Sequence, residues 1–462
     1  MIIEQQVLGL WQKCQAPSIW ALEEETIFSK TLIGQGLLSF ALPHTKSMGL
    51  FNRLNPCTFS LQLHYLTQLQ SQFLSFAMHF YESETLPVTG DTEEWISLRN
   101  QIRAISKQQF LKNIKALVFN KTNAYMRGMI EYHLHPYKRS LREAGRVIWR
   151  CGSTTLRDFS STDTFASEQT TLLLIPSLIN NAYILDLMPE YSLVSFLKKK
   201  GYRVLLLDWG MPHQEENFGF EDYLSQRLIP ATHFIQSYIS GPLVAFGYCM
   251  GGIFAMALAA QIALSGLILI ATPWDFHEGN NGPAQPFLCE SILRILEHEA
   301  VLPADVLTGL FYALHPERML EKFESFSQWN DPGKKRLFVA LEDWAGDTIP
   351  MAKGLAYDVI HSWLHKNELY TGKWGNEIIE FKSESLMIPA LIVSGSNDRV
   401  CRPKMSAPLE NLLLNVTVAQ FEVGHTGLIV GQTAKQEIWP LIDTWLQTIP
   451  NDCYTQNYKK EA

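Results

Sequence analysis

The chain has 462 residues, 47% of them hydrophobic and 18% charged, with a formal net charge of −8 at pH 7. That content supports a substantial core in one large domain or two ordinary ones, does not make disorder the default, and argues against nucleic acid as a global partner. Seven cysteines, an odd number with no C-x-x-C pair, point to neither a disulfide framework nor a zinc site, so no metal or other cofactor is expected.

Residues 1–165 read as a mainly helical N-terminal domain. The first residues, Met1-Ile2-Ile3-Glu4-Gln5-Gln6, lack the basic region, apolar core and small-residue cleavage site of a signal peptide, which predicts a cytoplasmic protein. Leu61, Tyr65, Leu66, Leu69, Phe73, Phe76, Ala77 and Phe80 recur at helical spacing. Core packing explains that stripe; a surface that touches lipid or polymer is the alternative. Arg99 to Arg150 holds twelve Lys or Arg against only Glu131 and Glu143, either a set of solvated helix faces or a patch for an anionic ligand or surface. The Ser-, Thr- and Asp-rich segment from Ser153 to Gln169 marks the domain boundary.

From Thr170 short apolar runs alternate with helical stretches, the pattern of a parallel sheet covered on both faces. Leu172-Leu173-Leu174-Ile175 is the first strand, and the loop Pro176-Ser177-Leu178-Ile179-Asn180 follows it. Ser192 to Lys200 predicts a helix capped by Gly201, and Tyr202 to Leu207 a strand ending in Asp208-Trp209-Gly210. Phe220 to Ser240 predicts another helix. Between Leu228 and Trp274 there is no Asp, Glu, Lys or Arg, so a hydropathy scan would propose a membrane hairpin. Two short runs around a Gly-containing helical stretch fit buried parallel strands and their crossover helix better.

The centre of that stretch is Leu243-Val244-Ala245-Phe246-Gly247-Tyr248-Cys249-Met250-Gly251-Gly252. Gly247 and Gly251 flank Cys249 in the cysteine form of the strand-to-helix turn that raises a nucleophile above an α/β-hydrolase sheet. A free cysteine also serves as a small buried hydrophobe, so the later acid and histidine have to decide. After the strand Ser265 to Ala271, residues 274–385 turn helical and aromatic, with Phe311, Tyr312, Phe323, Phe326, Trp329, Trp344, Trp363 and Trp374. An insertion here is where such a fold carries a lid, one able to exclude water and receive a greasy acyl group. His361 and His365 within it read as ordinary helix residues. The sheet resumes at Ile388, reaching Ser394-Gly395-Ser396-Asn397-Asp398, and a last strand, Val416 to Val423, leads into Gly424-His425-Thr426-Gly427. Residues 451–462 form a polar tail.

Nucleophile, acid and base therefore come in hydrolase order, each just past a strand. His425 would serve as base for the Cys249 thiol, and Asp398 would hold the imidazole's other N–H and stabilise the imidazolium. Singly, Asp398 also reads as an Asx-turn residue and His425 as a surface histidine. The backbone N–H groups of Met250 and Leu178 are the candidates for the oxyanion. Sulfur has a thermodynamic meaning here. An acyl-cysteine is a thioester, close in energy to acyl-CoA, so transfer onward to a hydroxyl stays downhill if water is kept out.

These residues, with Ala182-Tyr183-Ile184-Leu185-Asp186-Leu187 and Leu207-Asp208-Trp209-Gly210, resemble the poly(3-hydroxyalkanoate) synthases over roughly Tyr137 to Gln432. The resemblance implies an α/β-hydrolase fold whose Cys249–Asp398–His425 site moves 3-hydroxyacyl groups from 3-hydroxyacyl-CoA to a growing polyester chain. It implies CoA release at the surface of storage granules, by a homodimer or with an accessory subunit. Asn181 departs from the family, where a basic residue is usual, and so does Arg399-Val400-Cys401-Arg402 after the acid. A cysteine thioesterase or polyester hydrolase uses the same triad with water as acceptor, and a non-catalytic granule-associated protein is the remaining reading.

Overall fold

The computed structural model describes residues 5–8, 56–82, 93–139, 145–160, 169–239, 241–278, 285–314, 316–372 and 386–450. Arg142, Trp374 and the polar tail lie outside them, as do the side chains of Leu61, Tyr65 and Tyr312.

The apolar runs become strands for the reason their composition gives: with no polar face, each must be covered on both sides. In chain order the large sheet contains β1 (Arg146–Cys151), β2 (Thr154–Asp158), β3 (Thr171–Ile175), β4 (Arg203–Asp208), β5 (Leu243–Tyr248), β6 (Gly266–Ile270), β7 (Leu386–Gly395) and β8 (Leu413–Phe421). Their spatial order is β1-β2-β4-β3-β5-β6-β7-β8. β3 to β8 run parallel, whereas β1 and β2 form an antiparallel hairpin added to β4. Every residue of β3, β5 and β6 is buried. After β3 the chain goes first to one side of that strand and then to the other, which opens a crevice at the strands' C-terminal ends between the loops after β3 and β5.

The sheet begins before the boundary at 165 that composition suggested, since 146–158 is its outer hairpin. Charged side chains hid it. Asp158 pairs with Arg203 in a buried ion pair, and Arg157 reaches Asp208 of β4 at 3.3 Å. Another buried pair, Arg227–Glu215 at 2.7 Å, also accepts the Ser153 N–H of the hairpin turn on Glu215 at 3.0 Å.

The chain divides into two compact units: residues 1–137, 282–287 and 305–346, and residues 138–281, 288–304 and 347–462. The middle of the insertion thus packs with the N-terminal helices, while its two ends stay with the sheet. The helical unit contains α1 (Pro56–Glu82), α2 (Glu93–Arg103) and α3 (Lys107–Leu134), together with the insertion helices Pro316–Gln328 and Pro332–Gly346. Ser106 caps α3 by accepting the Gln109 N–H at 3.2 Å. The α1 stripe is core: Leu69, Phe73, Phe76, Ala77 and Phe80 are buried with Leu98, Ile102, Phe110 and Ile114. A second cluster joins Leu66, Tyr125, Met129 and Tyr132 to Phe323, Phe326 and Val339 of the insertion. The basic segment is partly consumed inside this unit, where Lys107 pairs with Glu82, and Lys121 with Glu324 at 2.8 Å. No helix among the described residues is long and apolar enough to cross a membrane.

Candidate active site

β5 ends at Tyr248, and Cys249 takes φ 55° and ψ −126° before the helix Met250–Gln261 begins. A non-glycine residue in that region is strained, and the turn persists because its surroundings leave no alternative. The Cys249 N–H donates to the Ile270 carbonyl of β6 at 2.9 Å, and its carbonyl accepts the Gly252 N–H at 2.9 Å. The two glycines predicted to let strand and helix approach do so. A Cβ on Gly247 would stand 2.3 Å from the Cα of Gly252, and one on Gly251 would stand 2.0 Å from the Ile175 carbonyl oxygen. The second contact presses the turn against the end of β3, where the loop carrying Leu178 starts. Met250 is the first residue of its helix, so its N–H has no intrahelical acceptor. Both Met250 and Leu178 are 5% exposed.

Asp398 and His425, 27 residues apart, meet at 2.7 Å between Oδ2 and Nδ1. Asp398 is 2% exposed. Its Oδ1 accepts the N–H groups of Val400 at 2.8 Å and Cys401 at 2.9 Å. The Asx turn and the partner to histidine are thus the same residue, one oxygen serving each. Burial by itself would lower the His425 pKa. The negative charges of Cys249 and Asp398 and the hydrogen bonds to both outweigh it, raising the pKa from 6.5 to about 10. The imidazolium is therefore the stable form while the sulfur carries charge, and the three side chains act as one electrostatic group.

Two supports were not anticipated. Tyr248, beside Cys249, lies with its ring 5.1 Å from the His425 ring and donates its hydroxyl to the His425 carbonyl at 3.3 Å. Burial, with the charges of Cys249, Asp398 and Cys401, holds this phenol well above its ordinary pKa, so it stays a donor. Cys401 is buried and contacts Ser406 Oγ at 3.4 Å, and the Ser406 hydroxyl donates to the Thr272 carbonyl at 2.6 Å, tying the acid's loop to the end of β6. Cys401 and Ser406 lie within the segment after Asp398, but no local pattern in it shows that they meet or reach Thr272. His361 and His365 lie side by side on a π-helical turn, Asp358–His365, with ring centres 6.0 Å apart. Among the described residues, no group of three or more His, Cys, Asp or Glu is placed to hold a metal ion.

Residues 170–432 match the family model of the alpha/beta hydrolase fold, and residues 140–197 match that of the poly-beta-hydroxybutyrate polymerase (PhaC) N-terminus. Among similar proteins is the poly(3-hydroxyalkanoate) polymerase subunit PhaC of Haloarcula marismortui, 25% identical over 60% of this chain and 61% of its own length. The proteins of the same name from Synechocystis sp. and Cupriavidus necator are each 26% identical. Those matches cover 60% and 56% of this chain, and 77% and 46% of the relatives. The chain spans about three-fifths of the length of the Haloarcula marismortui protein and of its Haloferax mediterranei counterpart, at 61% and 58%. The matched 140–197 segment contains the β1–β2 hairpin, the loop after β3 and all but the last two residues of the first crossover helix, Leu193–Lys199. The first of these models covers more than half of the chain, which therefore belongs to the α/β-hydrolase family, and a shorter segment at the start of its sheet is similar to the N-terminus of poly-beta-hydroxybutyrate polymerases.

Proposed function

We propose that the chain is a polyester synthase that transfers 3-hydroxyacyl groups from CoA thioesters, through an acyl-cysteine, to the hydroxyl end of a growing poly(3-hydroxyalkanoate) chain. The observation that carries this reading is the Cys249–His425–Asp398 group, with sulfur on a strained turn and an imidazole held at 2.7 Å by a buried carboxylate. His425 holds the proton lost by Cys249, and the thiolate attacks the thioester carbonyl. The Met250 and Leu178 N–H groups would receive the oxyanion, worth on the order of 3 kcal/mol per donor. The C–S bond to CoA then breaks, and His425 returns its proton to the leaving thiolate. In the second half the hydroxyl of a chain end gives its proton to His425 and attacks the acyl-cysteine, forming an ester and freeing the Cys249 thiolate. No cofactor enters either half.

The names of the relatives describe a polymerase subunit, which makes a homodimer or an accessory subunit part of the proposal, along with a cytoplasmic location at the polyester granule surface. The test is purified protein with 3-hydroxybutyryl-CoA, following thiol release and insoluble polymer together, against Cys249→Ala. Both products, and neither from the variant, support the synthase. Thiol release with only free hydroxy acid makes the chain a thioesterase. Equal turnover by Cys249→Ala overturns the site itself.

A further inference from the structure

The loop that carries Leu178 is held by chain returning from the insertion. Residues 347–358 form a strap across the loops that follow β3 and β4. Asn180 and Thr348 make an antiparallel bridge, and the Ile349 N–H donates to the Ile179 carbonyl at 2.9 Å. The Asn181 amide donates to the Asp347 carbonyl and the Tyr183 hydroxyl to Asp347 Oδ2, each at 3.1 Å. On the ring of Tyr183 lies the Arg139 guanidinium, 3.6 Å from its centre. Further along, the Lys353 and Leu355 N–H groups donate to the carbonyls of Glu216 and Phe218 at 2.7 Å, and Asp358 Oδ2 accepts the Phe220 N–H at 2.7 Å.

Within the loop itself the local restraint is modest: Ser177 Oγ accepts the Ile179 N–H at 3.3 Å, a turn around Leu178. An oxyanion donor works only when fixed to within a fraction of an ångström of the developing charge. The strap supplies fixed backbone on the far side of Leu178 from β3, and Asn181 is one of its fastenings. We propose that Asp347, through Asn181 and Tyr183, is the positioning element that sets where the Leu178 N–H stands above Cys249. This rests on the acyl-transfer reading above. The three residues act through the loop, not on the substrate.

Two reactions of the same sulfur separate this role from general stability. Alkylation by iodoacetamide attacks a saturated carbon and develops no oxyanion; acylation by p-nitrophenyl butyrate does, whatever the natural acyl donor. Tyr183→Phe and Asp347→Ala should each slow the acyl burst by about tenfold while alkylation of Cys249 stays within about twofold. Together they should be no slower than the slower single variant, since both remove one bond, whereas adding Asn181→Ala should slow acylation further. Acylation unchanged in all three single variants overturns the proposal, as does a parallel fall of acylation and alkylation. Wild-type protein that reacts with the ester but releases no CoA from 3-hydroxybutyryl-CoA refutes the polyester reading and leaves this one standing.

Discussion

Asp398 and Asp358 are carboxylates of the same unit, both set against backbone N–H groups, and they differ in how those donors arrive. Asp398 finds two donors two and three residues ahead of it, and its second oxygen meets His425. Asp358 has one N–H, from Phe220, 138 residues away. Burial raises its pKa; the Phe220 N–H opposes this, and the charges of Glu221, Asp222 and Glu368 add to it, bringing it from 3.8 to about 6. The difference separates the two parts of the candidate site. On the sheet, each group is set by a strand end and a turn of a few residues. On the strap, geometry depends on bonds that close very long loops, and the chain accepts electrostatic cost to make them.

Neutralising each acid in turn should have very different effects. Asp398→Asn should lower acylation of Cys249 by about 10³–10⁴-fold, because an amide permits the wrong imidazole tautomer. Asp358→Asn should leave the rate within about threefold, because its bond goes to Phe220 and not to the loop that carries Leu178. Burst kinetics with p-nitrophenyl butyrate measures both. Next in size is Gly251→Ala, whose Cβ meets the Ile175 carbonyl at 2.0 Å. It should cost about 1–3 kcal/mol or more in urea unfolding, since backbone has to move on both sides.

The pH dependence of stability then sharpens the contrast. The His425 pKa rises on folding, so its stabilising contribution is complete below about 6.5 and is lost as pH climbs through about 10. The stability gap between wild type and His425→Gln should accordingly narrow across that window. Asp358 carries the opposite sign. A carboxylate whose pKa rises on folding destabilises the native state once ionised, so stability falls as pH rises from about 4 through about 6. Asp358→Asn should raise the melting temperature above pH 6 and lose that gain below about pH 4, the smallest of these effects.

The strands β3, β5, β6 and β7 were legible because uninterrupted apolar runs have no other stable place, and Cys249, Asp398 and His425 were legible because each follows such a run. The hairpin 146–158 was not: Ser153 to Gln169 reads as a boundary, and nothing local shows that Arg157 and Asp158 have partners, Asp208 and Arg203, on β4. Tyr248 escaped notice for a similar reason, since its role exists only when the last loop brings His425 over it. The insertion read as one lid. Its middle instead shares a core with α1 and α3, through Phe323 and Phe326 against Tyr125 and Tyr132.

What the amino-acid order determined by itself is therefore the parallel part of the sheet, the strained turn and the placing of Cys249, Asp398 and His425 just past strands, because strand burial and tight-turn sterics act over a few residues. Which charges are paired, how the insertion divides, and what holds the Leu178 loop were decided by tertiary structure alone. Each depends on a hydrogen bond, ion pair or packing contact between segments up to more than a hundred residues apart, and no local pattern records which partner closes the loop.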